Sequence, residues 1–498
     1  MIRSWRLFNF KSFREDTTVP LGPLTVLAGA NSSGKSTLLQ SMLMVAQTLE
    51  SRVSTRPVVL NGPLVRLGTF DSVRSYGSES PSVTVGFEVV VGAESGLPLA
   101  ETVYAFAFDA GAERSELGQL HPRLTAVEIE QRDTIRGAAT ASIWLAEESV
   151  EARARALGVA VLNDAHRAAL AYCLSIEEPE KPAAEDAVQY IAPLFDHFLP
   201  RGALVPKEKD GQTALASYPL PWTVGSAEDR IYAVMRRFRY LGPLRDEPRA
   251  LYPLSTTADT TDVGLRGEHT AAVYDLHRQS LVRYIPTANF PTPAPNAPPL
   301  SQEQRTRTLE SAVVEWLQYL GVVDSLSTRD LGNLGHELKV TTPGVTTAHD
   351  LTHVGTGVSQ VLPIVVMCLL AEPDTTLIIE QPELHLHPRV QTLLGDFFLA
   401  ATMAGRQVIV ETHSEYLVNR LRYRVASSEG DRVAQLVKTW FVEKDAKGAS
   451  VFRAVEVNRY GAIAEWPKGF FDQSQREIEN ILLAGSLKKK AERAAGGR

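Results

Sequence analysis

Gly29 and Gly34 enclose Ala30-Asn31-Ser32-Ser33 and run straight into Lys35-Ser36-Thr37. The spacing is G-x-x-x-x-G-K-S, and each residue type in it has a task toward a phosphate. The glycines allow the tight backbone path that aims successive N–H groups, together with a helix N-terminus, at negative charge. Lys35 is placed to reach β- and γ-phosphates, and the Ser36 hydroxyl to ligate Mg²⁺. Such a loop needs a strand before it and a helix after it. Leu24 to Ala28 is an apolar run that predicts the strand, and Leu38 to Val45 predicts the helix. Gly29, Asn31, Ser32, Ser33, Gly34, Lys35, Ser36 and Thr37 are therefore the expected nucleotide contacts, with ATP and Mg²⁺ as ligands.

A second set of chemistry-bearing residues lies far downstream. Thr375 to Glu383 reads TTLIIEQPE, an apolar strand ending in acids, the form of a Walker B segment. A buried parallel strand delivers a carboxylate at its C-terminal edge, where open α/β sheets bind ligands. Glu380 is the expected Mg²⁺ partner, and Glu383 a candidate for orienting the attacking water. Gly355-Thr356-Gly357 is a Gly-rich turn feeding an apolar helix with Ser359 near its start, able to present N–H groups and a hydroxyl to an anion. Gln407 to Glu411 predicts another buried strand, and His413 just beyond it can reach a γ-phosphate. His385 and His387 form an H-x-H pair without further ligands, which reads as a loop rather than a metal site. No G-x-S-x-G elbow supports a hydrolase triad.

Composition narrows the remaining classes. Among 498 residues, 51 Lys and Arg stand against 58 Asp and Glu, a formal net charge of −7. Nucleic-acid binding through overall charge is thereby disfavoured, and a local basic patch is required. One stretch qualifies: Arg236-Arg237-Phe238-Arg239-Tyr240-Leu241-Gly242-Pro243-Leu244-Arg245, with Arg249 beyond. Arginines interleaved with aromatics can clamp phosphates and stack on bases. The same pattern also describes a strand with Phe238 and Tyr240 in the core and its arginines paired with Asp246 and Glu247. Cys173 and Cys368 lie far apart, which excludes a disulfide framework and fits a reducing compartment. The N-terminus lacks a signal-peptide core, and the apolar run from Val358 to Leu370 is too short to span a bilayer. A soluble cytoplasmic protein with no membrane contact is expected.

These residues must be held by a scaffold of about two to four lobes. Ile2–Phe10 alternates loosely and reads as a strand, and period-two runs over Ser82–Val91, Thr102–Phe108 and Leu124–Ile129 predict an antiparallel sheet beside the nucleotide core. From Ala141 to Leu199 the chain turns Ala-rich and predicts helices, with Arg153, Arg155, Glu177 and Glu178 on solvated faces. Prolines 286, 291, 293, 295, 298 and 299 predict an exposed loop, and Leu309 to Leu320 an amphipathic helix. His336–Thr341 and Val451–Val457 read as strands. Trp466, Phe470 and Phe471 read as docking on the core, and Lys488-Lys489-Lys490 with Arg493 as a solvated basic tail. The expected division is 1–140, the first part of an ATPase head with the antiparallel lobe; 141–335, an inserted helical or mixed lobe; 336–425, the second part of the head; and 426–498, a C-terminal extension.

Taken together, Asn9-Phe10-Lys11-Ser12-Phe13, the P-loop with Asn31, Gly355 to Gln360, Glu380-Gln381-Pro382-Glu383-Leu384-His385-Leu386-His387-Pro388 and Glu411-Thr412-His413-Ser414 resemble the ABC-type ATPases of the RecF/SMC/Rad50/OLD-like group. The pattern is similar above all to stand-alone prokaryotic AAA-family predicted ATPases without a TOPRIM nuclease domain, which often carry segments like Tyr240 to Arg245 and Trp466 to Asp472. The resemblance implies an α/β ABC-type head and a homodimer with ATP sandwiched between P-loop and the partner's Gly357/Ser359 signature. His413 would then be the switch histidine. It also implies a switch that controls a separately encoded effector, a nuclease or toxin, in anti-phage defence or DNA surveillance. The alternative is a RecF-like repair ATPase with DNA as its partner through Arg236 to Arg249. One position departs from transporter-type ABC ATPases: Gln381 stands where they carry the catalytic glutamate, and a glutamine holds a water without accepting its proton. Either Glu383 substitutes, or turnover is slow and the ATP-bound form is a scaffold.

Overall fold

The computed structural model describes residues 1–91, 100–111, 115–133, 137–144, 159–162, 192–209, 212–219, 222–252, 260–292, 294, 298–463 and 473–495. Two large sheets dominate. In chain order their strands are β1 (Ile2–Phe8), β2 (Thr17–Pro20), β3 (Leu24–Gly29), β4 (Val83–Val90), β5 (Ala100–Asp109), β6 (Arg123–Asp133), β7 (Gly137–Trp144), β8 (Val159–Leu162), β9 (Phe238–Leu241), β10 (Thr376–Glu380), β11 (Gln407–Glu411), β12 (Val437–Lys444) and β13 (Ser450–Ala454). The first sheet is seven-stranded in the order β2-β1-β4-β5-β6-β7-β8, with antiparallel neighbours throughout. The second is six-stranded in the order β9-β10-β11-β3-β12-β13. Its first five strands run parallel, and β13 closes the edge antiparallel to β12.

The parallel sheet is apolar on both faces because helices or the other sheet cover both, as such sheets require. Side chains alternate across it. Leu24, Val26 and Ala28 of β3, Leu377 and Ile379 of β10, and Val408 and Val410 of β11 enter one core cluster. Leu27, Ile378 and Ile409 enter the other. The first cluster is covered by α2 (Leu309–Leu320), α3 (Gly357–Leu370), α4 (Pro388–Met403) and α5 (Glu415–Ala426). The second is covered by α1 (Lys35–Glu50) and the antiparallel sheet. α2 has the bounds its periodicity predicts: Leu309, Ala312, Val313, Trp316, Leu317 and Leu320 are buried, Thr308 caps the N-terminus, and Gly321 ends it in a left-handed conformation.

The two sheets are tied by specific polar contacts. Gln407 at the start of β11 accepts from Ile2 N at 2.9 Å and donates to Ile2 O at 2.7 Å, stitching β1 to the parallel sheet. Trp5 of β1 donates to Ser41 Oγ of α1 at 2.9 Å. A buried amide that satisfies both backbone groups of one residue fixes the register of that junction.

The α/β fold class with an antiparallel lobe agrees with the sequence reading, and three local expectations change. The helical reading of Ala141 to Leu199 falls mostly outside the described residues. Its described pieces include β8, the end of β7 and the strand Ala192–Asp196. The proline loop starts on the core and is exposed beyond it: Asn289 and Phe290 are buried, Asn289 donates to the carbonyls of Ser301 and Glu303, and Thr292, Ala294, Pro298 and Pro299 are exposed. The parallel sheet also ignores the expected boundaries, taking β9 from within 141–335 and β12 and β13 from 426–498. The docking expected of Trp466, Phe470 and Phe471 lies outside the described residues. Among the described residues no helix is long and apolar enough to cross a membrane.

Candidate functional site

β3 ends at Gly29 with φ 146°, and α1 begins after Gly34 with φ 114°. A side chain at either glycine would collide with β12 or β13. A Cβ on Gly29 would sit 2.2 Å from Val442 O, and one on Gly34 2.1 Å from Ser450 Oγ. The loop is thus glycine-dependent both in backbone angle and in the space it threads. Ser450 locks it further, its hydroxyl donating to Ser33 O and sharing a second hydrogen bond with the Ser12 hydroxyl, which supplies the proton. The first N–H groups of α1 have no acceptor within the helix and are available to an anion.

Around the loop lies a cavity of about 410 Å³ lined by Lys11, Ser12, Asn31, Ser32, Ser33, Gly34, Lys35, Ser36, Thr37, Gln381, Glu411, His413 and Lys444. Every expected P-loop residue from Asn31 to Thr37 is here. Three ammonium groups face one space. Lys35 donates to the carbonyls of Gly29 and Ala30 at 3.0 and 2.8 Å, Lys11 to Gln40 Oε1 at 2.6 Å, and Lys444 to Ser450 Oγ at 3.1 Å. Burial lowers the pKa of each from the ordinary lysine value. Ser33 Oγ is buried and has no hydrogen-bond partner. Clustered lysines, N–H donors and an orphaned buried hydroxyl fit a polyphosphate.

The acids are arranged differently from the sequence expectation. β11 lies between β3 and β10, so its last residue, Glu411, comes nearest the P-loop. Ser36 Oγ donates to the Glu411 carboxylate, at 3.1 and 3.0 Å from its two oxygens, and Lys35 Nζ lies 4.0 Å from Oε1. Burial, then the neighbouring Glu380, push the Glu411 carboxyl up to about 7 against the pull of Lys35. Glu380 does not line the cavity. Its Oε1 accepts from Tyr240 O–H at 2.8 Å, its carbonyl accepts from Arg245 Nη2 at 3.1 Å, and burial raises its pKa. Ser36 thus pairs with Glu411, and Glu380 with Tyr240.

Glu383 likewise stands behind the cavity wall. Its Oε1 accepts from His413 N at 2.6 Å and its Oε2 from Thr412 Oγ1 at 2.8 Å. These bonds clasp the loop after β10 to the loop after β11. Burial raises the Glu383 pKa. Gln381 faces the cavity in a left-handed conformation, φ 44°, and its N–H donates to Glu411 O at 2.7 Å. His413 also faces the cavity, its pKa lowered by burial and by Lys35.

Gly357 and Ser359 are not part of this cavity. Gly357 opens α3, Gly355 and Thr356 before it are exposed, and Ser359 donates to Thr356 O at 2.8 Å. The arginine stretch divides, with Arg236, Arg237 and Arg249 exposed and Arg245 buried. Phe238 and Leu241 are buried, Arg237 donates to Pro373 O, Arg249 pairs with Asp246 at 3.0 Å, and Arg245 is buried with its pKa pushed down to about 10 by desolvation. Of the two readings, the strand with a core face is the one observed, although Arg245 turns to the Walker B carbonyl rather than to Asp246 or Glu247. His387 caps α4, accepting from Arg389 N, while His385 is exposed.

Sequence reasoning gave no site role to Lys11, Ser12, Glu411 and Lys444. Glu411 carried the same signal as Glu380, an acid ending a buried strand; only the strand order separates them. Lys444 had no local signal, since β12 brings it to the P-loop through parallel pairing with β3.

Residues 300–419 match the family described as "AAA domain, putative AbiEii toxin, Type IV TA system", and residues 435–481 match a protein of unknown function (DUF3696). The chain carries an ATP-binding P-loop ATPase domain. Among solved structures it is similar to an SMC head bound to the C-terminal winged-helix domain of ScpA, at 12% identity and TM-score 0.43, covering 92% of this chain and 98% of that one. It is also similar to the SMC head domain from Thermotoga maritima, at 10% identity and TM-score 0.37, covering 92% and 99%. A third likeness is to an SMC head with an extended coiled coil derived from Pyrococcus furiosus, bound to the C-terminal domain of ScpA, at 10% identity and TM-score 0.35, covering 96% and 99%. No curated protein matches the chain. The fold rests on the sheet order and P-loop geometry above rather than on these distant likenesses.

Proposed function

We propose that this chain is an ATP-dependent dimeric switch: two heads close on two ATP·Mg²⁺, hydrolysis opens them, and the cycle gates a separately encoded effector in prokaryotic defence or DNA surveillance. The observation that carries the reading is the division of the site. The phosphate cavity and its acids are built within one head, while the anion-presenting turn Gly355-Thr356-Gly357 stands exposed outside that cavity. A second head would bring its turn to the open side of the first. The effector part of the reading draws support from the description of the family that residues 300–419 match, which names a toxin and a toxin–antitoxin system. The DNA-repair alternative draws less support because Phe238 is buried and Tyr240 is held by Glu380, so neither aromatic of the stretch is free to stack on bases beside the exposed Arg236 and Arg237.

Mixing two inactive variants tests the shared site. Lys35→Ala removes a P-loop and Ser359→Arg blocks a signature, so a mixed dimer holds one site with both parts intact. ATPase activity is expected to reappear on mixing while each variant alone stays inactive. Two variants that remain inactive together, though each folds and the mixture forms dimers with ATP, would contradict a site built from both subunits.

A further inference from the structure

A P-loop serine and a carboxylate from a neighbouring strand form the metal side of a nucleotide site, and two glutamates compete for that role. β11 is one strand spacing from β3 and β10 is two, a difference of about 5 Å. Glu411 at the end of β11 meets Ser36 Oγ with its carboxylate, stands 4.0 Å from Lys35 Nζ, and lines the phosphate cavity. Glu380 at the end of β10 stands one strand further out and does not line the cavity: its carboxylate accepts from Tyr240 O–H and is hydrogen-bonded to the Glu411 carboxyl, and its carbonyl accepts from Arg245. The same cavity carries the unpartnered buried Ser33 hydroxyl, a polar group left for a ligand.

We propose that Glu411, not the Walker B residue Glu380, supplies the protein carboxylate of the Mg²⁺ site beside Ser36. The inference rests on the reading of the cavity as a nucleotide site. Mg²⁺ favours hard oxygen donors and is commonly bound through one or two carboxylates and the nucleotide's own phosphates. Glu411 and the Ser36 hydroxyl provide two such oxygen donors on adjacent elements. Gln381 lines the same cavity, its backbone N–H donating to the Glu411 carbonyl. Glu380, paired with Tyr240, becomes the residue that anchors β9 to the end of β10. On this arrangement the glutamine at the usual catalytic position and the carboxylate supplied by β11 are parts of one rearranged site.

The test separates metal from nucleotide. Binding of a fluorescent, non-hydrolysable ATP analogue is measured in EDTA, and the affinity of the resulting complex for Mn²⁺ is measured by paramagnetic resonance of the free ion. Wild type, Glu411→Gln, Glu411→Asp and Glu380→Gln are compared, with circular dichroism confirming that each folds. Glu411→Gln is expected to keep metal-free analogue binding and to lose at least about tenfold in Mn²⁺ affinity, with Glu411→Asp recovering part of it and Glu380→Gln shifting it by less than about threefold. Loss of Mn²⁺ affinity in Glu380→Gln with Glu411→Gln unchanged would overturn the assignment while leaving the nucleotide reading intact. Wild type that binds no analogue, with or without metal, would overturn both.

Discussion

Glu383 illustrates how much a single residue's role depends on what its oxygens already hold. Thr412 O–H and His413 N–H both donate to its carboxylate, so a glutamine there offers one acceptor oxygen and turns an NH₂ toward a donor. Glu383→Gln is expected to leave nucleotide affinity nearly unchanged and to slow hydrolysis about tenfold, the order of one lost charge-assisted hydrogen bond, by loosening the loop that carries His413. Single-turnover kinetics beside equilibrium binding would check it, and an unchanged turnover rate would remove the clasp from the mechanism. At this scale the P-loop was fully legible, because Asn31 to Thr37 act through contacts local in sequence. The acids were not. Glu380 and Glu411 end similar strands, and which of them meets Ser36 is decided by strand order, a property no short segment contains.

At the scale of elements, the helices α4 and α5 position the two loops that border the site. α4 begins after the loop carrying Glu383, and α5 is capped by Ser414, whose hydroxyl accepts from Leu417 N and donates to Gln391 of α4. The pair is clamped by Asp396, fully buried, which accepts from Arg420 at 2.6 Å and Arg424 at 2.7 Å and from Tyr319 O–H at 2.6 Å. Removing the acid strands two buried guanidinium groups. Asp396→Ala is therefore expected to destabilise the protein by about 3–5 kcal/mol in urea unfolding, and Asp396→Asn by less. A loss below about 1 kcal/mol would mean that the arginines find other partners or water. Apolar periodicity placed α2 to the residue and marked β10 and β11. It could not mark this cluster, since Asp396, Arg420 and Arg424 look in sequence like ordinary solvated positions.

Across the whole molecule, one parallel sheet organises pieces drawn from the two ends of the chain and from its middle. β3 near the start pairs with β11 and β12 from the last quarter, and β9 joins from the middle. That interleaving places Lys11, Lys35 and Lys444 around one cavity and leaves Gly355 to Gly357 outside it. The fold class and the two nucleotide halves could be read from sequence because motifs mark them. The domain boundaries could not, because β9, β12 and β13 carry no motif and are recruited only by the edges of the folded sheet. The central claim is that ATP joins two heads, and static light scattering tests it most directly. With ATP and Mg²⁺ the Glu383→Gln protein is expected to double its mass, to return to the single-chain value when nucleotide is removed, and to remain single when Lys35→Ala is added. A mass that does not change while bound nucleotide is measured in the same sample would contradict the account.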